Sequence, residues 1–208
     1  AVLTAIGVRR EDGKRMILGV SAALSEAEPH WRSFLMSLKE RGIGIPDSVT
    51  SDAHEGLKAA LRAAFNASPW QRCQSHLQQN AQAYVPKIQM RASVAADIRT
   101  LFNADSMALA EERLRVLTQK YAKSAPRLSD WMEQAIPEGL TIFSLPEHKR
   151  KRLRTSNMSE NLNDQIKRRT KVAGLFPNTS SILRLVTAIL MEISEDWETG
   201  KAYLNIKK

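Results

Sequence analysis

One stretch constrains this chain more than any other: Arg154-Thr155-Ser156-Asn157-Met158-Ser159-Glu160-Asn161-Leu162-Asn163-Asp164-Gln165-Ile166-Lys167-Arg168-Arg169. Met158, Leu162 and Ile166 recur every fourth residue, which lays them along one side of an α-helix. A stripe of that kind must be covered by another element, so the helix belongs to a packed core. Asn157, Glu160, Asn161, Asp164 and Arg168 fall on a different face, which is polar and carries two carboxylates. Basic clusters bracket the helix: Lys149, Arg150, Lys151, Arg152 and Arg154 precede it, and Lys167, Arg168, Arg169 and Lys171 close it. They make up most of the net charge of +9 carried by all 208 residues. A solvated helix face shares this polarity. The concentration of cations around two carboxylates also suits a surface that holds a phosphodiester backbone.

Upstream, the order of elements reads as α/β. Residues 2–9 alternate and are β-rich, Arg10-Glu11-Asp12-Gly13 signals a turn, and residues 15–23 form a second strand, so the pair is a hairpin. Ser25-Glu26-Ala27-Glu28 has the form of a capping box, with Ser25 as N-cap of a helix that carries Trp31, Phe34, Leu35 and Leu38 on its core face and stops before Gly42. Ser48-Val49-Thr50-Ser51 is a short strand that ends in Asp52, and a helix through Leu57, Leu61 and Phe65 follows. An acid where a strand gives way to a helix stands where α/β folds place their chemistry. It is equally the position of a helix N-cap. Trp70, Arg72, Cys73 and His76 come next; Cys73-x-x-His76 has half the ligand set of a structural zinc site, and a buried thiol beside a hydrogen-bonded imidazole is the simpler reading.

From about residue 77 to 147 the pattern is helical only, with amphipathic segments over 91–102, 106–121 and 127–135 and prolines between them. This divides the chain into a first α/β part (1–76), an all-α insertion (77–148) and a C-terminal part (149–208) that carries Glu160. A loop at Gly174-Leu175-Phe176-Pro177-Asn178 leads to one long helix from Ser180 to about Tyr203, placed to cover the sheet. No apolar run approaches the ~20 residues of a membrane span, so no membrane partner is expected. The N-terminus lacks the basic leader of a signal peptide. A single cysteine fits a reducing compartment. The chain starts without Met, within a strand, as a piece of a longer protein would.

Three blocks together resemble the bacterial mutator-type insertion-sequence transposases: Ser51-Asp52-Ala53-His54-Glu55-Gly56-Leu57; Trp70-Gln71-Arg72-Cys73-x-x-His76; and Arg154-Thr155-x-Asn157-x-x-Glu160-x-x-Asn163 with Ile166-Lys167-Arg168-Arg169-Thr170 and Phe176-Pro177-Asn178. Their order and spacing agree along essentially the whole chain. Gln79, Asn161 and Asp164 depart from the residues common in that family. The resemblance implies an RNase H-like mixed sheet flanked by helices, with an all-α insertion before the last catalytic acid. It implies a triad of two Asp and one Glu holding Mg²⁺, with Mn²⁺ as a substitute, in which Asp52 matches the second Asp and Glu160 the Glu. The family's first Asp lies on a strand before residue 1, so these 208 residues alone are expected to be inactive. Cys73 and His76 match a Cys-x-x-His pair with a structural or DNA-positioning role.

Carboxylates that hold two divalent ions roughly 4 Å apart are suited to activating a water or a 3′-hydroxyl at a phosphodiester. The implied reaction is cleavage at transposon ends and strand transfer into target DNA, by a homo-oligomer in the bacterial cytoplasm at the nucleoid. Lys149, Arg150, Lys151, Arg152, Arg154, Asn157, Lys167, Arg168, Arg169 and Lys171 would contact DNA. Two other readings share these features: a binding or assembly module that keeps the fold without catalysis, and a nuclease that nicks but does not join.

Overall fold

The computed structural model describes residues 1–173 and 176–206. In chain order it contains β1 (Val2–Val8), β2 (Arg15–Ala22), α1 (Glu28–Glu40), β3 (Val49–Ser51), α2 (Glu55–Ala64), β4 (Trp70–Arg72), α3 (Gln74–Ala81), α4 (Arg91–Phe102), α5 (Met107–Tyr121), α6 (Pro126–Ala135), α7 (Glu147–Leu153), α8 (Asn157–Thr170) and α9 (Thr179–Thr199), with short 3₁₀ turns between some of them. The architecture is mixed α/β and mostly helical. Its described strands form two two-stranded sheets, β1–β2 and β3–β4. No helix among the described residues is long and apolar enough to cross a membrane. The chain divides into two compact units: Ala1–Pro46, Ala53–Ser68 and Asn157–Lys208 make one, and Asp47–Asp52 with Pro69–Ser156 make the other.

The first unit is built on the expected hairpin. β1 and β2 pair antiparallel from Val2↔Ala22 to Val8↔Arg15, with an irregularity between Ala5 and Ile6. Gly13 closes the turn at φ 69°, a left-handed backbone that glycine adopts without a Cβ penalty. Arg9 braces the same turn by pairing with Asp12 at 2.5 Å, and the Lys14 N–H donates to Asp12 Oδ1 at 2.9 Å. The hydrogen bond from Arg9 holds the Asp12 carboxyl below its ordinary range.

Helix α1 does not use the expected capping box. Ala27 occupies the N-cap position, no side chain caps the helix, and the Ser25 Oγ instead accepts from the Ala27 N–H at 3.3 Å. Pro29 explains the shift. A helix capped by Ser25 would need the residue-29 N–H to close its first turn, and proline has none; starting at Glu28 places Pro29 in the first turn, where the missing donor costs nothing.

Helices α8 and α9 complete this unit. Leu162 and Ile166 are buried, as their spacing requires, whereas Met158 is only half-buried. They pack with Val186, Ile189, Leu190, Ile193 and Trp197 of α9, and Val2, Ile6, Ile17 and Val20 of the hairpin lie against the same cluster. Asn178 caps α9, its Oδ1 accepting from the Ser181 N–H at 2.9 Å. The helix ends at Gly200, earlier than its pattern suggests, because the following chain turns back to the hairpin: the Tyr203 and Leu204 N–H groups both donate to the Gly13 carbonyl. In the loop expected before α9, Gly174 and Leu175 lie outside the described residues.

The second unit has a continuous apolar core from α3 to the turns after α6, including Leu77, Val94, Ile98, Leu101, Leu128, Met132, Ile136 and Leu140. Its sheet was not fully legible: β3 pairs in parallel with Trp70–Arg72, a strand hidden inside a motif that reads as chemistry. Gln71, from the middle of β4, is fully buried and spends its amide on the backbone. Its Nε2 donates to the Gly139 carbonyl at 2.8 Å, and its Oε1 accepts from the Ile142 N–H at 2.6 Å. Gln74 donates to the same Gly139 carbonyl at 2.8 Å. These bonds satisfy buried polar groups in a segment with little regular structure of its own.

Gly139 is itself a close-approach site, since an added Cβ would lie 2.4 Å from Leu77 Cδ1. Gly139→Ala is therefore expected to destabilise the protein by about 1–3 kcal/mol through overpacking, read as a lower midpoint in urea unfolding with an unchanged slope. A midpoint equal to wild type would show that Leu77 has room to move.

Candidate functional site

The parallel pairing of β3 and β4 creates the site. Their register runs Val49↔Trp70, Thr50↔Gln71, Ser51↔Arg72, so the next residues, Asp52 and Cys73, leave two adjacent strand ends side by side. The Cys73 N–H donates to the Ser51 carbonyl at 2.9 Å and holds the ends together. Helix α3 begins at Gln74, which places His76 in its first turn. His76 Nδ1 then lies 2.5 Å from Asp52 Oδ1. One donor atom from each of Asp52, Cys73 and His76 falls within 4.8 Å of the other two. The Asp52 side chain is 57% exposed and that of His76 26%, while Cys73 is fully buried. The group therefore opens to solvent on its carboxylate side.

The residues just before α8 are tied to this group. The Ser156 N–H donates to Cys73 Sγ at 3.3 Å, and its Oγ lies 3.5 Å from His76 Nδ1. The Arg154 carbonyl accepts from the Gln74 N–H at 3.1 Å, and Thr50 Oγ1 donates to the Leu153 carbonyl at 2.5 Å. Trp70 and Arg72 brace the strand ends, through Trp70 Nε1 to Ser51 Oγ at 2.9 Å and Arg72 to Glu138 at 3.0 Å. Asp52 is not a helix cap: α2 starts at Glu55 with His54 at its N-cap position and no side-chain cap.

Glu160, the other candidate acid, lies in the first turn of α8 in the first unit and is half-buried. The unsatisfied N–H groups at a helix N-terminus favour a negative charge at that point. Asn163, one turn further on, accepts from Thr4 Oγ1 at 3.2 Å.

The candidate DNA-binding residues divide by what they already hold. Arg150 donates to the carbonyls of Leu145, Asp105 and Phe143 at 2.8, 3.0 and 3.3 Å, which makes it a brace within its own unit. Arg154 donates to Asn103 Oδ1 at 2.7 Å, and Lys149 lies 3.8 Å from Asp47. Arg169 pairs in a bidentate fork with Glu192 at 2.6 and 3.1 Å, and its hydrogen bonds hold the Glu192 carboxyl below the ordinary range. Lys151, Arg152, Asn157, Lys167, Arg168 and Lys171 are exposed, Arg152 and Asn157 with interactions of their own as well. The first basic run is helical and forms much of α7, an element that its sequence pattern does not announce.

Sequence reasoning placed Cys73 and His76 together but missed Asp52 as their third neighbour. The signal lay in two short β-like triplets, Val49–Ser51 and Trp70–Arg72, each ending immediately before a polar donor.

Residues 1–200 match the family described as "Transposase, Mutator family". The chain is 49% identical over 205 residues to the transposase for insertion sequence element IS406 of Burkholderia multivorans, an alignment that covers 99% of this chain and 53% of that protein. It is 38% identical over 206 residues to the transposase for ISRM5 of Rhizobium meliloti, covering 99% of this chain and 51% of that protein. The transposase for IS256 in transposon Tn4001 of Staphylococcus aureus is 34% identical over 211 residues, covering 98% and 52%. The chain thus spans about half the length of the curated relatives it matches.

Proposed function

The chain belongs to the Mutator family of transposases, and on that premise we propose that it is the catalytic part of a DDE-type insertion-sequence transposase, which cuts transposon ends and joins them to target DNA. The observation that carries this reading is the family match through residues 1–200, a range that includes both candidate acids and the basic clusters. We read the core as RNase H-like, with the helices of 77–148 as the insertion. Asp52 and Glu160 are the acids we assign to divalent-metal binding. Both offer hard oxygen donors, and the exposed Asp52 carboxylate fits a cation such as Mg²⁺ that keeps several waters. When bound, Mg²⁺ or Mn²⁺ supplies Lewis-acid stabilisation of the phosphoryl oxygens.

The chain's own residues have separable tasks in this scheme. His76, 2.5 Å from Asp52, orients the carboxylate, and the hydrogen bond from Ser156 to Cys73 fixes the base of the same group. Lys151, Lys167, Arg168 and Lys171 hold backbone phosphates and give affinity with little sequence information. The protein would act as a homo-oligomer on DNA in the bacterial cytoplasm. The decisive experiment incubates the full transposase, including the part outside residues 1–208, with supercoiled plasmid and Mn²⁺ and follows nicked and joined products. Nicking and joining together support a transposase; nicking alone points to a nuclease. Salt-sensitive binding with neither product would favour a non-catalytic DNA-binding module.

A narrower prediction concerns the exposed cations. Replacing Lys167, Arg168 and Lys171 together by Ala should flatten the dependence of log K on log salt by about 0.9 for each phosphate left unneutralised, or roughly 2–3 in all. Arg150→Ala should instead lower stability and leave the slope nearly unchanged, because its guanidinium is spent on three carbonyls. Equal slopes for wild type and the triple variant would remove this helix end from the DNA interface.

A further inference from the structure

We propose that Asp52, Cys73 and His76 form a binding site for a borderline divalent cation of the Zn²⁺ class, chemically separate from the use of Asp52 toward Mg²⁺. The donor set is one carboxylate oxygen, one sulfur and one imidazole nitrogen, gathered within 4.8 Å. Sulfur and imidazole suit Zn²⁺ and its neighbours, whereas Mg²⁺ takes oxygen ligands. In a tetrahedral zinc site, bond lengths near 2.0–2.3 Å put neighbouring donor atoms roughly 3.3–3.7 Å apart. The triangle here is of that scale: the Asp52–His76 edge, 2.5 Å, would open on metal binding, and every edge is already within 4.8 Å.

Three features favour a site over a chance cluster. All three residues sit at the ends of secondary elements, Asp52 after β3, Cys73 after β4 and His76 in the first turn of α3, so their backbones are fixed in advance. The buried Cys73 sulfur already accepts the Ser156 N–H at 3.3 Å, the kind of outer-shell hydrogen bond that supports a metal-bound thiolate. The exposed Asp52 side provides the route of entry and leaves a fourth coordination position for water, the pattern of three-ligand zinc sites. Counting ligands along the sequence finds only Cys73 and His76; the parallel strand pair supplies the third.

The site itself stands without the transposase reading, and one consequence rests on it. A Zn²⁺-class ion that engages Asp52 withdraws that carboxylate from Mg²⁺ and so inhibits DNA cleavage.

The test uses Co²⁺ as a spectroscopic stand-in, added to the reduced chain. One equivalent should produce a thiolate-to-cobalt charge-transfer band in the near ultraviolet, bleached by Zn²⁺ and indifferent to excess Mg²⁺. Cys73→Ser should abolish the band, and Asp52→Asn should weaken Co²⁺ binding at least tenfold. Should Cys73→Ser fail to fold, Asp52→Asn still decides, because its side chain is exposed. Glu160→Gln should leave the spectrum intact. Absence of a thiolate band in the wild-type protein, or a band that persists at full affinity in Asp52→Asn, would overturn the proposal. Because the readout is a metal spectrum, a protein that binds Co²⁺ through Cys73 yet never cleaves DNA would refute the transposase reading alone.

Discussion

Glu160→Gln is expected to lower metal-dependent DNA cleavage by the full transposase about a thousandfold, while salt-sensitive DNA binding persists. The magnitude follows from the chemistry assigned to the residue. A metal ion contributes several kcal/mol of charge stabilisation at a phosphoryl group, and losing roughly 4 kcal/mol of it is a factor of about 10³ in rate. The substitution preserves shape and removes only the charge, and its place in the first turn of α8 keeps it away from the buried stripe. Asp52→Asn should produce a loss of the same order. Single-turnover cleavage of supercoiled DNA, compared with binding at matched salt, separates the two effects. Cleavage by Glu160→Gln within tenfold of wild type would remove this residue from the metal-binding acids.

Leu162→Ala should have the largest effect on stability, because Leu162 is wholly buried on the opposite side of the same helix from the candidate acid. Truncating a buried leucine costs about 3–5 kcal/mol where the surroundings cannot collapse into the space. Here the cluster around it consists of side chains of α9 and of the hairpin, both elements fixed by their own backbone hydrogen bonds. For a chain of this size such a loss lowers the melting temperature by roughly 6–20 °C. Calorimetry on wild type and variant checks it; a shift under about 2 °C, the least that 1 kcal/mol produces at this size, would mean that the stripe is not the anchor of α8. The two variants also control for each other. Leu162→Ala should lose activity in step with folding, and Glu160→Gln should lose it while fully folded.

Much of the fold was legible because its elements carry their own periodicity. The alternation of residues 2–8 and 15–22 marks the hairpin, and the apolar spacing of α4, α5, α6, α8 and α9 marks those helices to within a few residues. The failures have local causes. Ser25 has the look of a cap until Pro29 is considered, since a residue without an N–H cannot stand where the first turn must close. β4 was missed because three residues are too few to show a period, and its parallel partner lies a whole helix earlier in the chain. That one omission hid the proximity of Asp52 to Cys73 and His76. Among the basic residues, neither residue type nor spacing separates Lys151 from Arg150. Only the fold shows that one reaches solvent and the other binds three carbonyls.

The first unit also has a temporal side. Its hairpin is made before the rest of the unit, yet the apolar side chains that cover Val2, Ile6, Ile17 and Val20 include Val186, Ile189 and Ile193, well over a hundred residues later. A lone two-stranded hairpin is marginally stable in water. At about 5–20 residues per second of synthesis, these four side chains wait roughly 10–35 seconds on the ribosome before their cover emerges. The second unit, complete in sequence at Ser156, has all of its residues earlier. The nascent chain thus carries an uncovered apolar strand pair while the second unit is already complete in sequence, an interval in which that pair is open to a ribosome-associated chaperone.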